Sequence, residues 1–193
     1  SYILDFSKEK DAKLIYSGSS TKFALYEAED THSPYSWSKK KNTEHLQLYA
    51  KWFGLDYAIT YFYNVYGEGE INTGKYSTVV AKFLESYKSK SDHIMVVEPG
   101  TQKRYFTHIN DVVSALVLVG ESGIGDGYGI GSDEPYTILE LAEMIGLPIK
   151  MSPKRRGNRM DAELVIEKTK ALGWQCKNNL ENYIIEMKKS FQD

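Results

Sequence analysis

A single cysteine, Cys176, stands among 193 residues. One thiol cannot build a disulfide framework, which excludes the small secreted scaffolds held by several bridges and points to a reducing compartment. No apolar run approaches the roughly 18 residues that a membrane-crossing helix needs, and no charged-then-apolar leader opens the chain. The expectation is a soluble, cytoplasmic protein without a membrane partner. An excess of one charge is also missing: 24 Lys and Arg stand against 26 Asp and Glu, for a net charge of −2. That balance leaves no basic footprint for nucleic acid. There is no repeat of fixed period and no low-complexity tract. What the chain does have is aromatic side chains, at 13% of its residues and with 15 tyrosines.

Hydrophobic spacing and punctuation give the element order. Lys13 to Ser17 (K-L-I-Y-S) is a short apolar run with polar bounds and reads as a buried strand. Gly18 to Thr21 follows as a loop. Ser33 and Pro34 form a helix start, serine as N-cap and proline in the first helical position. Leu46, Tyr49, Trp52 and Phe53 recur behind them at helical spacing, and Gly54 ends the helix. Asp56 to Tyr63 is rich in β-branched and aromatic residues and reads as a second strand. Strand, loop, long helix and strand make a parallel βαβ unit.

Beyond Gly67 the texture changes. Tyr76, Val79, Val80, Phe83, Leu84 and Tyr87 form a helical stripe, and Ile94 to Val97 reads as a strand. Asp111 to Val119 reads as a mostly buried helix. Thr137 to Glu140 is a capping box that opens another helix, ended by Gly146. Ile149 to Met151 reads as a short strand, and Leu180, Tyr183, Ile184, Met187 and Phe191 stripe a last helix. The loops hold most of the glycines. A boundary near residue 68 divides residues 1–67 from a smaller α/β lobe, 68–193, whose elements interleave with the first. The opening Y-I-L-D-F-S-K-E-K-D looks like the end of an amphipathic helix with no start, which raises the expectation of further sequence upstream.

The chemistry centres on Tyr35 and Lys39. Because Ser33 and Pro34 start the helix, both residues lie in its first turns, and a separation of four puts them on one face. That spacing alone is common, and an exposed aromatic beside a solvated lysine is its ordinary reading; Lys40 and Lys41 keep that reading. The setting is less common. The pair follows a strand and a loop holding Ser17, Ser19, Ser20 and Thr21, and loops at the carboxyl ends of parallel strands are where α/β proteins bind ligands. A phenol is a poor base near neutral pH. An ammonium about 4 Å from a phenolate favours it by about 4 kcal/mol at an effective dielectric near about 20. The phenolate could then take a proton from a sugar hydroxyl while hydride leaves the same carbon, with a serine hydroxyl holding the oxygen.

S-G-S-S-T, then Y-S-W-S-K, then Y-N-V-Y-G (Tyr63 to Gly67) resemble the extended short-chain dehydrogenase/reductases, and more closely their NAD-dependent nucleotide-sugar epimerase/dehydratase branch. Gly100 to Val113 (G-T-Q-K-R-Y-F-T-H-I-N-D-V-V) is similar to that branch's G-x-Q-x-R-D-F-x-x-V-x-D-V. G-Y-G-I-G-S-D-E-P-Y-T-I-L-E-L-A-E, K-R-R-G-N-R-M and K-A-L-G-W resemble later segments, in order. The resemblance covers nearly all of the chain. It implies an α/β fold: the C-terminal part of a Rossmann-like parallel sheet, carried by residues 1–67, plus a smaller α/β substrate-binding lobe.

The resemblance also implies roles. Tyr35 would be the catalytic acid and base. Lys39 would bind the nicotinamide ribose and tune Tyr35, and Ser19 would complete the triad and touch the substrate. Ser17 would lie near the cofactor, NAD, with NADP also open. Asn64 would contact the nucleotide-sugar phosphates. Arg104 and Arg155 would pair with the diphosphate, a task suited to the guanidinium fork. Lys75 and Gln102 are further substrate-side candidates. On the residues alone, Arg104 and Arg155 read as a solvated loop face and Asn64 as a turn residue. The full-length form would be a homodimer joined by a helix pair that includes the Tyr-Lys helix.

Departures from the pattern are informative. Tyr61 stands where the family often has arginine, and Tyr105 replaces the aspartate of R-D-F. The loop between Ser19 and Tyr35 is short. Two serines at 19 and 20, in place of Thr-Asp or Thr-Glu, argue for epimerisation over dehydration. The largest departure is an absence: no G-x-x-G-x-x-G opens a helix after a strand to hold a pyrophosphate. The glycines from Gly123 to Gly129 come late and open no such helix. The expected function is NAD-dependent epimerisation of a nucleotide-activated sugar through a keto intermediate, at C4 or in the manner of the ADP-heptose 6-epimerases. A reductase or dehydratase on the same scaffold, or a non-catalytic sugar-nucleotide-binding fragment, are the alternatives.

Overall fold

The structure is a computed structural model, and it describes residues 2–23, 33–74, 76–154 and 163–192. The chain opens with α1 (Tyr2–Glu9), β1 (Leu14–Ser17), α2 (Pro34–Phe53), β2 (Tyr57–Phe62) and β3 (Val65–Tyr66). There follow α3 (Val79–Lys88), β4 (Ile94–Val97), β5 (Lys103–Tyr105), β6 (Thr107–His108) and α4 (Ile109–Ser122). The last elements are β7 (Gly125–Ile130), β8 (Pro135–Thr137), α5 (Ile138–Ile145), β9 (Ile149–Ser152), α6 (Glu167–Lys170) and α7 (Leu180–Ser190). They gather into two compact units. One takes Ser1–Tyr63, Val112–Gly131 and Ala162–Gln175; the other takes Asn64–Asp111, Ser132–Asp161 and Cys176–Asp193.

The first unit is built on a three-stranded sheet in the order β1-β2-β7. β1 pairs with β2 in parallel, from Leu14 opposite Tyr57 to Ser17 opposite Thr60. α2 makes the crossover between them. Its start is set by Ser33, extended at φ −70°, whose Oγ accepts from the Ser36 N–H at 3.2 Å, with Pro34 next in line. Its end is set by Gly54, at φ +67°, whose N–H donates to the Ala50 carbonyl at 2.8 Å. Leu46 and Ala50 of α2 are buried with Leu4, Leu55, Ile59 and Tyr61. The spacing of apolar residues on α2 overstates its buried face: Trp52 and Phe53 are exposed.

The glycine-rich stretch, to which the sequence pattern assigns no element, forms β7. It is a strand of this sheet, parallel to β2, with Phe62 opposite Ile130. Glycine is poor in strands, so a pattern of glycines hides one. Here it is needed for close approach, because a Cβ on Gly129 would overlap the Val165 carbonyl.

Among the described residues the second unit holds three two-stranded ladders: parallel β3-β6 and β4-β9, and antiparallel β5-β8. Its core joins Phe83 and Leu84 of α3, Leu141 and Ile145 of α5, and Leu180 and Ile184 of α7. α3 starts later than its apolar stripe suggests. Thr78 caps it, accepting from the Ala81 N–H at 3.3 Å, and leaves Tyr76 outside and exposed. α5 has the full capping box. The Thr137 N–H donates to Glu140 Oε2 at 2.7 Å, and the Glu140 N–H donates to Thr137 Oγ1 at 3.0 Å. Asp111, buried at 2% exposure, accepts from the N–H groups of Lys177 at 3.1 Å and Asn178 at 3.0 Å. A buried carboxylate needs such partners, and these pin the segment after Gln175.

Candidate active site

The site in the first unit is assembled where β1 ends. The Gly18 N–H donates to the Thr60 carbonyl at 2.8 Å, carrying the ladder one residue past Ser17. The chain then turns through a 3-10 turn, Ser20–Phe23. Ser19 Oγ and Thr21 Oγ1 lie 2.9 Å apart, and the Thr21 N–H donates to Ser19 Oγ at 3.4 Å. These local bonds hold Ser19 in the turn, the usual use of a serine hydroxyl at such a place.

α2 presents Tyr35 and Lys39 one turn apart on one face. Lys39 Nζ donates to the Ser17 carbonyl at 2.9 Å. It lies 5.2 Å from the ring centre of Tyr16 and 5.9 Å from that of Tyr35. The ammonium is thus placed by a main-chain oxygen at the strand end and lies near two aromatic rings. Tyr35 is 60% exposed.

Beside Lys39, between α2 and the turn, lies a cleft of about 250 Å³ lined by Ser19, Thr21, Lys39, Thr43, Gln47 and Tyr61, among others. Its floor is a polar network. Tyr61, 1% exposed, donates to Asp126 Oδ1 at 2.6 Å and accepts from Lys22 Nζ at 3.1 Å. Lys22 also pairs with Asp126 Oδ2, and Gln47 Nε2 donates to the same oxygen at 3.0 Å. Burial, reinforced by the bond to Asp126, pushes the Tyr61 phenol well above its ordinary range, so it stays a neutral donor.

The structure therefore joins Ser17 to Lys39 by a hydrogen bond, sets Ser19 and Lys39 around one cleft, and puts Tyr35 on the Lys39 face of α2. Asn64, Gln102 and Arg104 belong to the second unit. Asn64, at φ +33°, donates through Nδ2 to the Tyr105 carbonyl at 3.1 Å, and its own carbonyl accepts from Thr107. Its side chain holds the β3 end against the stretch that carries Arg104. Arg104 lies on β5 opposite Tyr136 and donates to the Lys103 carbonyl at 2.7 Å. Gln102 is 4% exposed, and its Oε1 has no hydrogen-bond partner among the described residues. Lys75 and Arg155 lie outside the described residues. Among the described residues no group of three His, Cys, Asp or Glu could hold a metal ion, and no helix is long and apolar enough to cross a membrane.

Sequence reasoning did not find Lys22, Gln47 or Asp126. Asp126 sits between two glycines in a strand that the sequence pattern does not show, so nothing in its neighbourhood marks it. Tyr61 stood out only as a departure from a pattern.

Three kinds of likeness bear on the site. A family model described as "NAD dependent epimerase/dehydratase family" matches residues 1–131. The GDP-mannose 3,5-epimerase of Arabidopsis thaliana is 31% identical over 149 residues, covering 72% of this chain and 39% of the relative. A putative UDP-glucose 4-epimerase of Methanocaldococcus jannaschii is 30% identical over 159 residues, covering 79% of this chain and 51% of the relative. The chain thus spans about half or less of the length of these curated relatives. Among solved structures, the UDP-glucose 4-epimerase of Thermotoga maritima with UDP-glucose superposes with a TM-score of 0.83 at 24% identity, covering 98% of this chain and 66% of that one. That last likeness speaks for the Rossmann-type fold.

Proposed function

The chain belongs to the NAD-dependent epimerase/dehydratase family, and from that premise we propose that it carries the proton-transfer centre and substrate lobe of a nucleotide-sugar epimerase. The observation that carries this reading is the lysine bond. Lys39 is anchored to the Ser17 carbonyl on the face of α2 that also bears the exposed Tyr35.

The donor set fits the nicotinamide-ribose end of NAD. An ammonium has three N–H donors, and the Ser17 carbonyl takes one of those on Lys39, leaving donors for a ribose hydroxyl. Ser17 and the Tyr35 hydroxyl complete that end. When bound, NAD supplies a reversible hydride acceptor for the carbon under attack. Tyr35 takes the proton of the sugar hydroxyl on that carbon and returns it when the alcohol re-forms. Lys39, with its Nζ 5.9 Å from the Tyr35 ring centre, brings a positive charge to the same end of the site. The Ser19 hydroxyl donates to the same sugar oxygen and steadies it as it becomes a keto group. Return of hydrogen to the other face of the keto sugar inverts the centre, and no redox partner is consumed. Asn64, Lys75, Gln102, Arg104 and Arg155 are proposed for the substrate side, the two arginines on the diphosphate. The orphaned Gln102 oxygen suits a donor brought by the ligand.

The test is the natural full-length protein with NAD and a panel of UDP-, GDP- and ADP-sugars, read by sugar NMR. An epimer pair that equilibrates, with Tyr35→Phe reducing turnover by about 10²-fold or more, is the expected result. Wild-type turnover in Tyr35→Phe would remove Tyr35 from the reaction. Net NAD(P)H consumption or loss of water from the sugar would make the enzyme a reductase or dehydratase instead.

A further inference from the structure

Tyr61 touches both ends of the segment that carries Ser19. At one end, Gly18 lies so close to its ring that a Cβ there would come within 2.5 Å of Tyr61 Cε1. At the other, Phe23 packs edge-on to it with ring centres 4.9 Å apart. Lys22 Nζ lies 5.0 Å from the ring centre and also donates to the Tyr61 hydroxyl at 3.1 Å. The hydroxyl in turn donates to Asp126 Oδ1 at 2.6 Å, and Asp126 takes both Lys22 and Gln47 on its other oxygen. One buried ring, fixed through its hydroxyl to β7 and through Gln47 to α2, therefore holds residues 18–23 from both sides. Ser19 lies between the two holds.

We infer that Tyr61, with Asp126 and Lys22, is a positioning clamp that sets where the Ser19 hydroxyl meets the sugar oxygen. This rests on the reading of Ser19 as the hydroxyl that steadies that oxygen. The Tyr61 hydroxyl is engaged by Asp126 and Lys22. Tyr61 acts through the turn, and a misplacement of about 1 Å in a reacting constellation costs up to about a hundredfold in rate.

The test uses the natural full-length protein with two conservative variants, Tyr61→Phe and Asp126→Asn, which keep shape and remove the hydroxyl bond or the charge. The first readout needs no turnover: amide hydrogen exchange at Gly18, Thr21 and Lys22, with Leu14 and Tyr63 as references. Exchange about tenfold faster at the three turn amides, with the references unchanged, is the expected pattern. The second readout is turnover with the nucleotide sugar. A fall of about tenfold in kcat, KM within about twofold, and a larger primary deuterium isotope effect are expected for Tyr61→Phe. The loss should shrink to near nothing when Tyr61→Phe is placed in a Ser19→Ala background, because the two act on one interaction. Unchanged exchange at the turn, or an undiminished loss in that background, overturns the clamp. A wild-type protein without turnover overturns the epimerase reading instead, and the exchange result then decides the clamp alone.

Discussion

Lys39 and Ser17, 22 positions apart in the chain, are joined by a 2.9 Å hydrogen bond from the lysine ammonium to the main-chain carbonyl at the end of β1. A side-chain oxygen could rotate away; a strand carbonyl cannot. The bond therefore gives a flexible lysine a fixed end point beside Tyr35.

Replacing Lys39 by methionine should leave the fold intact and lower kcat of the full-length enzyme by about 10²-fold or more, within the range of general acid-base effects. Lys39→Arg should not restore it, since a planar guanidinium cannot put a compact charge in the same place. Steady-state kinetics on the two variants, with circular dichroism as the folding control, decide the matter. A Lys39→Met enzyme with wild-type kcat would detach the lysine from the chemistry.

Gly18→Ala probes the approach of the turn to Tyr61. The added methyl would press into a ring edge, and overpacking of this kind costs about 1–3 kcal/mol. Urea unfolding should show a lower midpoint with an unchanged slope. A Gly18→Ala protein as stable as wild type would mean that the ring has room to move.

Cys176 should be slow to alkylate. Burial first, and then its bond to Asp111, push the thiol up to about 12. Thiolate is the reactive form, and an ordinary cysteine has a pKa near about 8.5, so iodoacetamide labelling at pH 8 should be at least about a hundredfold slower than for a free thiol. Asp111→Asn should speed it, though that variant also loosens the 176–178 segment. Labelling of the wild type at a peptide-like rate would refute the prediction.

The capping box of α5 makes a pH-dependent contribution. The Thr137 N–H, and then the Thr137 side chain, hold the Glu140 carboxyl below its ordinary value. A lowered native pKa means that the contribution is fully present above the unfolded value of 4.5 and is lost as pH falls through the lower native one. The Tm gap between wild type and Glu140→Gln should therefore be open at pH 7 and close in acid. A gap that is constant from pH 7 to pH 2 would contradict this. Thr137→Ala, which removes the cap itself, should cost about 1 kcal/mol.

Much of the scaffold was legible because local chemistry marks it. Ser33, Pro34 and Gly54 bound α2 in the sequence and in the structure, and the βαβ order implied the parallel pairing of β1 with β2. β7 was not legible, since its glycines serve contact with Val165 and carry no side-chain pattern. Ladders of two or three residues, such as β3-β6 and β5-β8, are too short for any periodicity to show. At the candidate site, the shared face of Tyr35 and Lys39 followed from their spacing on one helix. The Lys22-Asp126 pair did not, because 104 positions separate its members and only the folded sheet brings them together.

The strand order β1-β2-β7 places β1 at the rim of its sheet, with no strand on its other side among the described residues. Its outer row of backbone N–H and C=O groups is a ready template for another extended segment. Handled by itself at high concentration, this chain should therefore be prone to self-association through Leu14–Ser17. Light scattering over a concentration series checks this, and a chain that stays monomeric at high concentration would contradict it.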